Sequence, residues 1–309
     1  MVTRVTTPGN YATVLANLLA AQQRQMAAGN KVATQKNGQN LKDYSGSSEL
    51  LTAMRSVQTR LGVFQDQNKL LTDKLSTQDT GLTRVADAAQ SVRQLMAEAL
   101  ASGRVDTLVE DIEAQLRNAV EGMNARYGGK YLFAGGQVDT QPVTATSLSD
   151  LTAGPPIASF FKNDDFKVTA KLDEATTVTT GILADGIGTD LLTAFQTFQA
   201  FNEGPNGPFT GQMTAAQQTF LEGQLANWED IRQDITTTAA HNGINQKRLE
   251  TVASDLVTRQ NQLTGMVGDI TDADMAEAAA QLQQAQLSVQ SAAYVFQALQ
   301  ESSLINILK

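Results

Sequence analysis

Cysteine is absent from the 309 residues. That excludes a disulfide framework, a thiolate nucleophile and any Cys-ligated zinc or iron–sulfur centre. Histidine is almost absent too: His241 stands alone, which leaves little room for His-based catalysis or metal binding. Basic residues are in the minority, 23 Lys and Arg against 32 Asp and Glu, for a net charge of −9. Phosphate backbones are held by clustered Lys and Arg, so nucleic acid is not an expected partner. Proline is scarce and confined. All six lie at positions 8, 142, 155, 156, 205 and 208, leaving 9–141 and 209–309 without one. Because proline costs a helix interior about 3 kcal/mol, two long proline-free arms point to long helices flanking a differently built middle. Eleven of the seventeen aromatic residues fall between Tyr131 and Trp228, inside that middle.

Uninterrupted apolar runs are also lacking. Residues 5–23 carry no charge and loosely resemble a signal-peptide core, but Asn17 breaks the run and only Arg4 precedes it. A cleaved signal is therefore not expected. Residues 278–300 are uncharged over 23 positions, yet seven of them are glutamine. Those amides would lack partners in lipid, so a helix with an amide-lined polar face is expected rather than a membrane span.

The arms instead carry a heptad pattern. Alternating steps of four and three from Leu50 reach Met54, Val57, Leu61, Phe64, Asn68, Leu71, Leu75, Gln78, Leu82, Val85, Ala89, Val92, Met96 and Ala99. Only Asn68 and Gln78 are polar. A seam of this period faces a partner helix, and its polar exceptions can fix register. Gly103 ends the run, and Val105, Leu108, Ile112, Leu116, Ala119 and Met123 predict a shorter returning helix. A second walk goes from Trp228 through Ile231, Ile235, Thr238, Asn242, Asn245, Leu249, Val252, Leu256, Arg259, Leu263 and Met266 to Ile270, apolar at its ends and polar in the middle. A third, Met275, Ala278, Leu282, Ala285, Val289, Ala292, Phe296 and Leu299, is rich in alanine, which allows close helix approach. Acidic residues from Asp269 to Asp274 suit the start of that last helix.

The predicted fold class is mainly α: a long antiparallel, coiled-coil-like bundle built from both chain ends, with a small β-rich insert. Its expected divisions are a terminal helix and connector over 1–45, bundle helices over 46–130, the insert with a short helix over 131–212, a returning bundle helix over 213–268, and a terminal helix over 269–309. Polar, glycine-bearing stretches from Gly29 to Gly46 and from Gly265 to Asp274 read as connectors. Within the insert, Phe166, Val168, Ala170 and Leu172 alternate with Lys167, Thr169 and Lys171, a half-buried strand pattern. Leu191, Leu192, Phe195 and Phe198 mark the short helix. The outer ends, 9–28 and 275–308, carry few charges and finish on Leu304, Ile305, Ile307 and Leu308. Such ends are expected to be buried between subunits or folded onto the chain's own body. Val14, Leu18, Leu282, Val289, Phe296 and Leu299 are the candidate assembly contacts.

No grouping of catalytic type emerges. Asp164–Asp165 and Asp173–Glu174 lack the spacing of a calcium loop and read as solvated turns. Asp269, Asp272 and Asp274 read as helix-start residues. His241 has no carboxylate-and-nucleophile set near it in sequence. Gly128–Gly129 and Gly135–Gly136 do not match a phosphate-cradling loop and read as backbone turns. No catalytic residue, cofactor site or metal site is expected.

Several segments, taken in order, resemble a known family. Ala27–Val32 and Asn40–Ser47 are similar to the N-terminal connector of the bacterial flagellin-like proteins. His241–Glu250 resembles their returning bundle helix, and Asp269–Ala278 the start of their final helix. Gly129–Gly136 followed by Asp139–Pro142 looks most like the branch that joins hook to filament. The resemblance covers the chain outside 143–215. It implies a non-enzymatic, extracellular structural subunit, exported through the flagellar type III apparatus, whose paired terminal helices pack in the inner layer of a tube. The partners it implies are neighbouring copies, hook-associated protein 1, flagellin and an export chaperone, with neither membrane nor nucleic acid among them. Two other functions fit the sequence: a filament-forming flagellin, and a secreted coiled-coil effector or binding protein acting through the 143–215 insert.

Overall fold

The computed structural model describes residues 7–307, with side chains described for 11–301. The apolar Leu304, Ile305, Ile307 and Leu308 lie outside those described side chains. The helices are α1 (Thr7–Thr34), α2 (Ser48–Ser102), α3 (Leu108–Met123), α4 (Leu148–Thr152), α5 (Ala184–Glu203), α6 (Ala215–Thr271) and α7 (Met275–Ile307). Four short strands form two antiparallel hairpins: β1 (Arg126–Tyr127) with β2 (Lys130–Tyr131), and β3 (Thr169–Lys171) with β4 (Thr177–Thr179). The chain makes two compact units, one of residues 61–258 and one of residues up to 60 and from 259 on.

In the unit of residues 61–258, the heptad seam of α2 is the spine of the core. Leu82, Val85, Ala89, Val92 and Met96 are buried together with Ile112, Leu116 and Met123 of α3 and Trp228, Ile231 and Ile235 of α6. Leu191, Leu192, Phe195 and Phe198 of α5 complete this core. α5 has 20 residues, and the Phe195 ring meets Trp228 edge-on at 4.8 Å. The helices α2 and α3 touch through backbone: a Cβ on Gly122 would stand 2.8 Å from the Gly81 carbonyl oxygen and 2.8 Å from a Val85 methyl. Only glycine fits such an approach. Gly128 and Gly129 both take positive φ in the β1–β2 turn, the geometry of a tight hairpin. Strand content within 131–212 is confined to Tyr131 and the β3–β4 ribbon. α5 and loops make up most of the remainder.

The polar exceptions in the heptads have a specific task. Leu172 and Val178 of the β3–β4 ribbon pack with Leu75 of α2 and Leu249 of α6. At its margins the ribbon leaves backbone carbonyls facing the two helices. Asn68 Nδ2 donates to the Leu172 carbonyl (3.0 Å), Gln78 Nε2 to that of Thr180 (3.3 Å) and Asn245 Nδ2 to that of Thr179 (3.0 Å). Across the helix pair, Asn242 Nδ2 and Gln246 Nε2 both donate to the Leu75 carbonyl, at 2.9 and 3.0 Å. A buried carbonyl without a partner costs about 1–3 kcal/mol. Gln246 still holds the Leu75 carbonyl when the buried Asn242 is replaced by Ala, so that change is expected to cost only the net worth of one hydrogen bond, about 0.5–1.5 kcal/mol. Urea melts of the two proteins measure the difference.

In the other unit, Leu51 and Met54 are buried and Leu50 is half exposed. The α2 seam thus starts one position later than the walk from Leu50, because Leu51 takes the inward place. Gln58 Nε2 donates to the Thr264 hydroxyl at 3.1 Å, so the first turns of α2 face the last turns of α6. Arg259 and Met266, both on the α6 walk, are exposed. The connectors are shorter than the glycines imply. α1 runs through Gly29 to Thr34, and α6 runs through Gly265 and Gly268 to Thr271. A helical glycine costs only about 1 kcal/mol, and Gly29 has Leu282 of α7 against its backbone. The true links are 35–47 and 272–274.

Candidate assembly surface

The terminal helices α1 and α7 pack against each other along their length, antiparallel. The Tyr11 and Phe296 rings meet near one end, centroids 5.0 Å apart and tilted by 49°, and Gly29 meets Leu282 near the other. The seam of α1 is Val14, Leu18, Ala21, Gln25, Ala28 and Val32, and that of α7 is Ala278, Leu282, Ala285, Val289, Ala292, Phe296 and Leu299. Both keep the four-and-three spacing of a coiled coil. The alanines Ala21, Ala28, Ala278 and Ala285 are buried. All six candidate assembly residues (Val14, Leu18, Leu282, Val289, Phe296 and Leu299) lie along these two strings, each half-buried. Each terminal seam thus has a partner within the chain, namely the other terminus.

That pairing leaves a second apolar set uncovered. At about 100° per residue, Leu15, Leu19 and Met26 share one face of α1, turned about 120° from the seam. Leu287 and Tyr294, one heptad apart, lie on α7 opposite its seam. Leu19 is 51 % exposed, Met26 63 %, Leu287 63 % and Tyr294 73 %. No charged residue occurs in 278–300 of α7, and Arg24 and Lys31 are the only charged residues of α1. Sequence periodicity traced the seam but missed these outer stripes. Two overlapping heptad frames on one helix look like a general abundance of Leu, Ala and Gln unless both are walked separately.

The two helices are clipped where they meet the bundle. The Asn37 amide donates to the Thr271 carbonyl (2.8 Å) and the Ala273 amide to that of Gln35 (3.0 Å), with Gln35 at a φ of 57°. Asn37 Nδ2 donates to the Asp272 carbonyl (2.8 Å), and Lys36 forms an ion pair with the Asp272 carboxylate. The Tyr44 hydroxyl accepts from the Gly38 amide at 2.8 Å and lies 3.2 Å from the Thr271 carbonyl. Asp43 accepts the amides of Gln39 and Asn40, each at 2.9 Å. Asp274 accepts those of Ala276 and Glu277 and so caps α7. Asp269 lies inside α6.

Hydrogen bonds from Lys36 and Thr271 hold the Asp272 carboxyl below its ordinary value of 3.8, and the Asn40 and Gln39 amides do the same for Asp43. A depressed carboxyl stabilises the folded clip fully above the unfolded value and loses that contribution as pH falls through the lower folded value. The clip is therefore expected to stay closed at pH 5 and loosen below about pH 3.8. Hydrogen exchange of the Asn37 and Ala273 amides reports it: protection, corrected for intrinsic rate, should fall in that window and not between pH 5 and 7.

Elsewhere the carboxylates noted in the sequence serve the backbone. Asp164 accepts from the Gly136 and Phe166 amides at 2.8 and 3.0 Å. Asp173 accepts from Ala175 and Thr176 in the β3–β4 turn. His241 is exposed on α6. Among the described residues no group of His, Asp or Glu is arranged to hold a metal, and no helix is long and apolar enough to cross a membrane.

A long bundle helix pair, clipped to a sparsely charged terminal pair with exposed apolar outer stripes, is the framework of a helical structural protein. Comparison with known proteins gives the class a family. The model of the bacterial flagellin N-terminal helical region matches residues 5–138, and that of the C-terminal helical region matches 225–308. Together they account for more than two thirds of the chain, which belongs to the bacterial flagellin family. It is a structural component of the flagellum, external to the cell. Among solved structures, a flagellar hook-associated protein from Vibrio parahaemolyticus has a similar fold, with a TM-score of 0.62 and 16% identity over 74% of this chain and 100% of that one. FlgL from Bacillus cereus is also similar, with a TM-score of 0.55 and 15% identity over 71% of this chain and 99% of that one. No curated protein matches the sequence.

Proposed function

We propose that this chain is the hook–filament junction protein of a bacterial flagellum, the third hook-associated protein. It would be exported by the flagellar type III apparatus and act by helical packing of identical subunits rather than by catalysis. The observation that carries assembly is the pair of uncovered apolar stripes on a terminal pair whose own seam is already filled. Stripes holding Leu15, Leu19 and Met26 on one helix, and Leu287 and Tyr294 on the other, each cost free energy in water. Neighbouring copies can cover them. The half-buried seam residues Val14, Leu18, Leu282, Val289, Phe296 and Leu299 contribute their open sides to the same contacts. Placement at the junction, rather than along the filament, is supported by the hook-associated proteins among its structural neighbours and by the Gly129–Pro142 segment. On this reading hook-associated protein 1 and flagellin are the neighbours below and above, and an export chaperone covers the chain before secretion.

Deletion of the gene tests the position. Cells should keep hooks, lose filaments and release monomeric flagellin into the medium. Retained filaments contradict the junction role. A filament flagellin differs in a second measurement: purified, it would form long filaments alone, whereas this chain should not.

A further inference from the structure

With eight methionines and no cysteine, all the sulfur in this chain is thioether. The thioethers are unevenly placed. Met54, Met96 and Met123 are buried and Met213 is packed on the core. Met26, Met266 and Met275 are 63 %, 49 % and 40 % exposed, and all three belong to the unit that holds the terminal helices. Of these, Met26 alone shares the outer stripe of α1 with Leu15 and Leu19.

We propose that Met26 is an oxidation site that governs assembly. This rests on the reading that the outer stripe is covered by a neighbouring copy. The oxidant is a peroxide. The Met26 sulfur attacks one peroxide oxygen and the O–O bond breaks. The sulfur is oxidised by two electrons to the sulfoxide, and the second oxygen leaves as hydroxide and takes up a proton to become water. The reaction needs no catalytic group, only exposure. A sulfoxide is larger and far more strongly hydrated than the thioether, and burying it in a contact that Leu15 and Leu19 share costs it that water. Oxidation of the free subunit therefore blocks the stripe, and assembly in turn shields the sulfur. Leucine at the same position keeps the apolar bulk and removes the reaction.

The test uses the full chain and hydrogen peroxide. Purified wild-type protein and Met26→Leu are each treated, and the sulfoxides are located by peptide mass. Both are then added to hook-bearing flagella from a strain lacking the gene, and the bound protein is counted. Treated wild type is expected to bind about tenfold less than untreated, whereas treated Met26→Leu, oxidised only elsewhere, binds as before. Peroxide applied after incorporation should leave Met26 unmodified while Met26 of the free chain reacts. Undiminished binding of Met26-oxidised wild type overturns the inference, as does equal loss in Met26→Leu, which would assign the effect to another thioether. If the untreated protein itself fails to bind, the junction reading falls and the inference with it.

Discussion

Removal of residues 280–309 is expected to abolish incorporation into the flagellum while leaving the unit of residues 61–258 folded. The buried core of that unit draws on α2, α3, α5 and α6 and on none of the deleted residues. The loss of helix should exceed the deletion itself. α1 has 28 residues and no apolar cluster of its own. Without α7 its seam at Val14, Leu18 and Ala21 faces water, and a helix in a protein draws most of its stability from packing such a face. Far-ultraviolet circular dichroism should therefore lose about twice the helical signal of the residues removed. Cooperative melting of the remainder should persist. A loss limited to the deleted residues would mean that α1 is stabilised by something other than α7. Normal incorporation would contradict assembly through the terminal pair.

Replacing Trp228 by Ala should give the largest stability change of any single substitution. Trp228 is fully buried, edge-on to Phe195, where α6 meets α2, α3 and α5. Truncating a buried Trp costs about 3–5 kcal/mol. In a unit of this size that lowers Tm by about 10 °C. Trp228→Phe keeps most of the ring contact and should cost less than half as much. Because this is the single tryptophan, the Ala variant is followed by circular dichroism rather than fluorescence. A shift of only 1–2 °C would show that the core does not depend on this junction of four helices.

The sequence displayed the bundle clearly because period is a property of one chain. Thirteen apolar positions between Leu50 and Ala99 repeat at 3.5 residues, and every one except Leu50 is at least half-buried. The role of the polar interruptions was not legible. Asn68 and Gln78 resemble register-fixing core residues, yet they hold the carbonyls of a ribbon about a hundred residues away. Nothing local announces such a partner. The terminal surface was half legible. The α7 walk marked Leu282, Val289 and Phe296, and lack of charge marked the region as buried. Whether burial was within or between chains depends on geometry, and the structure divides the two. The seam closes α1 on α7, and the outer stripes remain. Glycine misled in the opposite sense: Gly29 and Gly265 suggested links, but helix packing absorbs their cost and moves the links beyond Thr34 and Thr271.

That division makes one measurement decisive for assembly through the terminal pair. In a strain lacking the gene, the chain carrying Leu19→Glu and Leu287→Glu is compared with wild type. Both positions are exposed in the free subunit, so the variant should fold and melt as wild type does, and should be secreted. Placed in a contact with a neighbouring copy, however, two unpaired carboxylates are strongly unfavourable. The account predicts normal hooks, no filaments and monomeric flagellin in the medium. Full-length filaments on cells expressing the double variant would contradict it.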